Sequence, residues 1–149
     1  MDWQNVRPKD QAWQSIAKKI DEKEWEAAHY LAGTMRKEAF NDWEGVIAVF
    51  DQEELAGFCS YVKQDIVETL TYTPYIATVY VDPKYRGQHL SQALVSKAEE
   101  QLIVAGFSKV YIVSQHQGLY ERMDYKKIGE AEDIFGRRMV VYRKELRNI

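Results

Sequence analysis

The run Asp82-Pro83-Lys84-Tyr85-Arg86-Gly87-Gln88-His89-Leu90-Ser91 has the composition of an anion site. Before it, Val79-Tyr80-Val81 closes a stretch rich in β-branched and aromatic residues, which favour strands. After it, Gln92-Ala93-Leu94 continues into a strong helical pattern. A helix starts with four backbone N–H groups that have no partner inside the helix. Those donors and the positive end of the helix dipole attract an anion. Lys84 and Arg86 add formal positive charge at the same place. The segment therefore reads as a cradle for a phosphate or pyrophosphate at the carboxyl end of a strand.

Such a cradle needs a strand before it and a helix after it, and the chain supplies both. Residues 1–7 allow a short strand. Trp13, Ile16, Ala17 and Ile20 lie at helical spacing. Asp21 and Glu24 have the spacing of a capping box for a second helix, whose apolar stripe is Trp25, Ala28, Ala32, Met35 and Ala39. Val46 to Phe50 and Leu55 to Val62 read as a hairpin around Asp51-Gln52-Glu53-Glu54. Gly57 inside the return strand signals a bulge or a close contact. Residues 63–73 are polar and threonine-rich and read as a loop. Tyr75 to Val81 is the next strand. Leu90, Ala93, Leu94, Ala98, Leu102 and Ala105 define a long helix that Gly106 ends. Lys109 to Ser114 reads as a buried strand, 118–124 as a short helix, and 126–134 with 138–146 as a closing hairpin. A strand-helix-strand unit of this length implies a right-handed parallel crossover. The expected fold class is α/β of the α+β kind, a central mixed sheet flanked by helices, neither doubly wound nor a barrel.

That order, together with the cradle, resembles the GNAT superfamily of N-acetyltransferases. Members carry Arg/Gln-x-x-Gly-x-Gly/Ala at the start of the central helix, matched here by Arg86-Gly87-Gln88-His89-Leu90-Ser91. A second family feature reads aromatic-Tyr-Glu-x-x-Gly-aromatic, matched by Leu119-Tyr120-Glu121-Arg122-Met123-Asp124-Tyr125. His89 and Ser91 depart from the first pattern, and Asp124 replaces the glycine of the second. Glycine at such places lets the backbone approach a pyrophosphate. A histidine suits position 89 if its backbone is already helical and its ring points away from the ligand. Ser91 could add a hydroxyl donor, and aspartate tolerates left-handed backbone better than most residues.

The resemblance implies acetyl-coenzyme A as cosubstrate, bound by Val79, Tyr80 and Val81 along the pantetheine arm and by Arg86, Gly87, Gln88, His89, Leu90, Ser91 and Gln92 around the diphosphate. It places the pantetheine in a gap between strand 75–81 and strand 109–114. Unpaired backbone groups there would hydrogen-bond the ligand. The implied reaction is direct acetyl transfer to an amine, with Tyr120 as general acid for the leaving thiolate. A phenol of pKa about 10 is protonated at neutral pH. His116, in the loop after strand 109–114, is a candidate general base, since a histidine suits that role. Asp65 and Glu68, in the loop before the cofactor strand, are further candidates for the base.

Totals set outer bounds. The chain has 149 residues, 46% hydrophobic and 29% charged, as expected of one soluble domain over 1–149. A net charge of −3 argues against general nucleic-acid binding. No apolar run reaches the roughly 20 residues of a membrane span, so neither membrane nor nucleic acid is an expected partner and the cytoplasm is the expected compartment. His29, His89 and His116 show no metal-ligand spacing, and no metal is expected. The single cysteine, Cys59, lies mid-strand and reads as a small buried hydrophobe. Arg137, Arg138, Arg143, Lys144 and Arg147 read as a solvated edge that resists unwanted strand pairing. A terminal strand pair could extend a sheet across a homodimer. Three functions compete: an acetyl-coenzyme A-dependent transferase acting on a small-molecule or peptide amine, a non-catalytic coenzyme A sensor, and a structural domain in which Arg86 only caps a helix.

Overall fold

The computed structural model describes residues 1–67 and 69–146. Among the described residues, seven strands form one mixed sheet and three segments are α-helical. The strands are β1 (Asp2–Val6), β2 (Gly45–Asp51), β3 (Glu54–Val62), β4 (Tyr75–Val81), β5 (Lys109–Ser114), β6 (Lys126–Glu132) and β7 (Arg138–Glu145). The helices are α1 (Trp13–Asp21), α2 (Glu26–Arg36) and α3 (Leu90–Val104). The strand order is β1-β2-β3-β4-β5-β7-β6. The chain clusters into two compact units, one of Met1–Ser60 with Thr78–Ala98, the other of Tyr61–Ala77 with the chain from Glu99 on.

In the first unit, β1 runs antiparallel to β2, with Asp2 opposite Phe50 and Val6 opposite Val46. The apolar stripes of α1 and α2 pack with β2 and β3 through Trp13, Ile16, Ile20, Leu31, Met35, Val46, Phe50 and Phe58. Each such side chain, when fully buried, contributes about 1.5–3 kcal/mol. Trp13 also donates its indole N–H to the Met35 carbonyl at 2.9 Å, an acceptor near the end of α2 that it shares with the Glu38 N–H. The second helix does not begin with a capping box. Asp21 is the last residue of α1, and α2 starts at Glu26 behind an extended Trp25. Asp21 faces His29 Nδ1 at 2.9 Å and Arg36 at 2.7 Å, and these partners, Arg36 foremost, hold its carboxyl below the usual range. The Arg36 guanidinium and the His29 ring on α2 compete better for that carboxylate than a backbone amide would.

In the second unit, β5 and β7 pair antiparallel from Lys109 opposite Glu145 to Ser114 opposite Val140, and β6 pairs antiparallel with β7. Gly106, at φ +98°, ends α3, and the Phe107 N–H reaches back to the Leu102 carbonyl. β7 lies between β5 and β6, so its basic residues do not form an edge. Arg137 pairs with Asp133, Arg138 with Glu130, Arg143 with Glu145, and Lys144 with Glu99. Arg147 lies outside the described residues. The parallel β4–β5 pair has a register of Tyr75 opposite Tyr111, and the Tyr111 N–H donates to the Pro74 carbonyl. No helix among the described residues is long and apolar enough to cross a membrane.

Candidate functional site

The turn expected to cradle an anion lies in the first unit and is braced. Asp82 follows β4, and its N–H donates to the Ala56 carbonyl at 2.8 Å. Its carboxylate accepts the Lys84 N–H at 3.1 Å and the Lys23 ammonium at 2.8 Å. Lys23 is the first cause of a carboxyl pKa below the ordinary value. A one-turn 3-10 helix, Pro83–Tyr85, is thereby capped. Tyr85 is buried, and its hydroxyl lies 3.0 Å from Asp51 and 3.1 Å from Glu54, which anchors the turn on the β2–β3 connection. Lys84 does not aim a spare charge at the cradle. Its ammonium sits 3.0 Å from Glu54, and that pairing raises its pKa.

Past Tyr85 the chain opens. Arg86, Gly87, Gln88 and His89 are all exposed. Arg86 donates Nε to the Val81 carbonyl at 3.3 Å, and its Nη1 and Nη2 atoms have no partner among the described residues. Gly87 has φ +84°, and a Cβ there would meet nothing within 4 Å. His89 has φ +60° and precedes α3, which starts at Leu90. Its backbone is therefore not right-handed helical, as the sequence reading required, but takes the left-handed form that glycine favours. Histidine is among the few residues enriched there. Two left-handed residues, 87 and 89, thus lead into the start of α3, where the first amides have no partner within the helix, a combination that suits a diphosphate. Leu90 is buried, whereas Ser91 and Gln92 on the first turn are partly exposed.

The strand feeding the turn changes character midway. Tyr75, Ile76 and Ala77 are buried, whereas Thr78, Val79, Tyr80 and Val81 are partly exposed. The change falls at Thr78, whose φ is +54°. A β-branched residue in that region is an outlier and breaks the pleat. Nothing in the sequence signalled it, because threonine is an ordinary strand residue. Tyr80 stacks between Trp25, at 5.6 Å between centroids, and Phe58, at 5.2 Å. Gly57 confirms a close contact, since a Cβ there would lie 2.8 Å from the Tyr80 carbonyl oxygen.

The tyrosine motif lies in the second unit. Tyr120 is buried, and its ring centroid is 5.9 Å from that of Tyr125 and 5.7 Å from that of Tyr142. Its carbonyl accepts the N–H groups of Met123 and Tyr125, both at 3.0 Å, around a 3-10 turn, Glu121–Met123. Asp124 closes that turn at φ +72°, ψ +19°, the left-handed backbone expected in place of glycine. Glu121 braces it from one side by accepting the Gly118 N–H at 2.9 Å. Burial and Glu121 raise the pKa of Tyr142, whose hydroxyl donates to the His116 carbonyl at 2.9 Å. The backbone of His116 is held there, and its side chain is exposed. Asp65 lies in the β3–β4 loop of the same unit, and Glu68 lies outside the described residues. Cys59 is fully buried, and desolvation pushes its thiol pKa well up. Among the described residues no cluster of His, Cys, Asp and Glu is arranged to hold a metal ion.

Comparison with known proteins places this architecture. Residues 11–125 match the acetyltransferase (GNAT) family. An acetyltransferase of Yersinia pestis (strain Pestoides F) is 35% identical over 68 residues, a match covering 41% of this chain and 45% of that protein. The match thus spans less than half the length of that relative. The fold is also that of the aminoglycoside 6'-N-acetyltransferase from Enterococcus faecium, with a TM-score of 0.70 and 16% identity over 100% of this chain and 99% of the other. An aminoglycoside 6'-N-acetyltransferase solved in complex with coenzyme A aligns with a TM-score of 0.69 at 15% identity, again over 100% and 99% of the two chains. With a match running from the first helix to the end of the tyrosine motif, the chain belongs to the GNAT acetyltransferase family.

Proposed function

We propose that the protein transfers an acetyl group from acetyl-coenzyme A directly to a primary amine of a small molecule or peptide. The observation that carries this reading is the open turn before α3, where Gly87 and a glycine-like His89 expose successive backbone donors beside Arg86. Acetyl-coenzyme A would bring an activated acyl thioester. Its residues here would be Arg86 and the amides from Gly87 to Gln92 for the diphosphate, and the partly exposed edge Val79–Val81 for the pantetheine amides. Tyr120 would hold a proton at Oη and release it to the departing thiolate. Its ring is fixed by Tyr125 and Tyr142, so little reorganisation accompanies the transfer. His116 would accept the amine proton, directly or through water.

Thiol release measured against a panel of primary amines tests the reading. Wild type should turn over. Tyr120→Phe should lower kcat by roughly 10²-fold with little change in KM, as expected for a general acid. Arg86→Ala should weaken acetyl-coenzyme A binding by about ten-fold, the loss typical of one charge-assisted contact. Tight acetyl-coenzyme A binding without turnover on any amine would turn the assignment toward a sensor. No rise in melting temperature with saturating acetyl-coenzyme A would end it, because at 100 times Kd a specific ligand adds about 2.7 kcal/mol.

A further inference from the structure

Tyr125 ends the tyrosine motif and is 2% exposed. It meets Tyr120 in two ways. Its N–H donates to the Tyr120 carbonyl at 3.0 Å, and its ring stands edge-on to the Tyr120 ring, 5.9 Å between centroids and 72° between planes. The far end of Tyr125 is held as well. Its hydroxyl donates to Glu99 Oε2 at 2.7 Å, a short bond of the kind a carboxylate makes. Lys144 Nζ reaches both oxygens of that carboxylate at 3.1 Å and lies 5.4 Å from the centroid of the Tyr125 ring. The Glu99 and Lys144 side chains are largely buried. All of these residues lie in the second unit.

A buried ion pair is weak evidence of stabilisation, so its placement asks for another reason. The buried Asp133 carboxylate pairs with Arg137 four residues on and closes its own hairpin. The Glu99–Lys144 pair joins α3 to β7 across 45 positions and takes in a phenol of the tyrosine motif. Residues two apart on a strand share a face, so β7 presents Tyr142 and Lys144 together. Tyr142 is the other ring against Tyr120, at 5.7 Å, and its hydroxyl is pinned on the His116 carbonyl. Each of the two rings that touch Tyr120 thus carries a hydroxyl fixed at its outer end.

We propose that Glu99, held by Lys144, is a positioning residue for acetyl transfer: through the Tyr125 hydroxyl it fixes the Tyr120 ring, and with it the point from which Tyr120 Oη delivers a proton. This deepens the transferase reading above and rests on its assignment of Tyr120 as the acid. A general acid must lie within about 2.6–3.2 Å of the atom it protonates, and a misplacement of about 1 Å can cost 10²-fold in rate. Packing alone lets an aromatic ring rock about its axis. A charge-assisted bond at the para position opposes that motion at the longest lever arm. Lys144 compensates the carboxylate, so that the anchor brings no unpaired buried charge beside the motif.

The test is a double-mutant cycle on thiol release, using acetyl-coenzyme A and the primary amine of the panel above that wild type turns over fastest. Glu99→Ala and Tyr125→Phe should each lower kcat about ten-fold, with KM for acetyl-coenzyme A within about two-fold of wild type. Glu99→Gln keeps an acceptor for the Tyr125 hydroxyl and should recover about half of the wild-type kcat or more. In a Tyr120→Phe background neither change should lower kcat further, because a residue that acts through Tyr120 has nothing left to place. A merely structural role would add its loss to that of Tyr120→Phe. In a chain isotope-labelled at its tyrosine rings, NMR line shapes should show a faster flip of the Tyr120 ring in Glu99→Ala and Tyr125→Phe, with no amine present. Additive losses in the double variants, a wild-type kcat in Tyr125→Phe, or an unchanged Tyr120 flip would each overturn the proposal. Tyr125→Phe keeps the ring and leaves Glu99 its Lys144 partner, so it decides the matter even if Glu99→Ala misfolds. Full activity in Tyr120→Phe together with a faster ring flip in Tyr125→Phe would strike the acid assignment and leave Glu99 as the residue that orders the ring.

Discussion

His89 is one residue on which the sequence and the backbone disagree. Its φ of +60° is the conformation that the family's usual glycine would adopt without strain. An L-residue in the left-handed region costs about 1–2 kcal/mol, less where a local preference helps, and glycine returns part of that through its greater unfolded-state freedom. His89→Gly should therefore leave stability unchanged or raise it by up to about 1 kcal/mol, and His89→Val should lower it by more than about 1 kcal/mol because β-branched residues tolerate this backbone worst. Urea denaturation at pH 7 measures both. In the transferase reading, His89→Val should also weaken acetyl-coenzyme A binding, because the amide positions move with the backbone.

Elements were more legible than sites. Every strand expected from alternation or β-branched runs is present, and Pro74 and Pro83 bound β4 as Gly106 ends α3. The start of α2 was misread because a capping signal in sequence competes with tertiary partners that sequence does not reveal, here His29 and Arg36. The interior position of β7 was misread for a related reason. Sequence order makes the last strand look terminal, whereas pairing inserts it between β5 and β6. The turn before α3 could be read because glycine, proline and a helix start are local signals. The bend at Thr78 and the Tyr75 hydroxyl, buried with no partner among the described residues, could not, since both depend on neighbours distant in sequence. Gly57 shows how tightly one element sets another. A Cβ there would lie 2.8 Å from a backbone oxygen of β4 and 3.2 Å from Leu94. Gly57→Ala should cost about 1–3 kcal/mol, as overpacking does, and in the transferase reading it should also lower acetyl-coenzyme A affinity by moving the strand before the turn. Leu94→Ala alone should not restore the double variant, because the closer obstacle is main chain. Melting curves of the single and double variants check this.

At the scale of the whole molecule, two aspartates give stability an opposing pH dependence. Asp82, with its pKa held down by Lys23, stabilises the fold above the unfolded value of about 3.9, and that contribution is lost as pH falls through its lower folded value. Asp65 has its pKa raised to about 7, so between about 3.9 and 7 the folded chain binds more protons than the unfolded one, and stability falls as pH rises through that window. Taken together, these two groups put the stability maximum near about pH 4 and not at neutrality. Asp65→Asn should remove the decline on the alkaline side and raise the melting temperature at pH 8, the signature of a group kept at a cost to the fold. Scanning calorimetry from pH 3 to 9 on both proteins measures it.

The lone thiol of this chain is sealed in β3, with its Sγ 3.6 Å from the Leu94 carbonyl. A maleimide or dithiobisnitrobenzoate reagent should therefore find almost nothing to label while the fold is intact, so free coenzyme A released in an assay can be read without a protein background. The same seal makes Cys59 a clock: the rate at which it becomes alkylated in dilute denaturant counts the openings of the sheet around it, one molecule at a time.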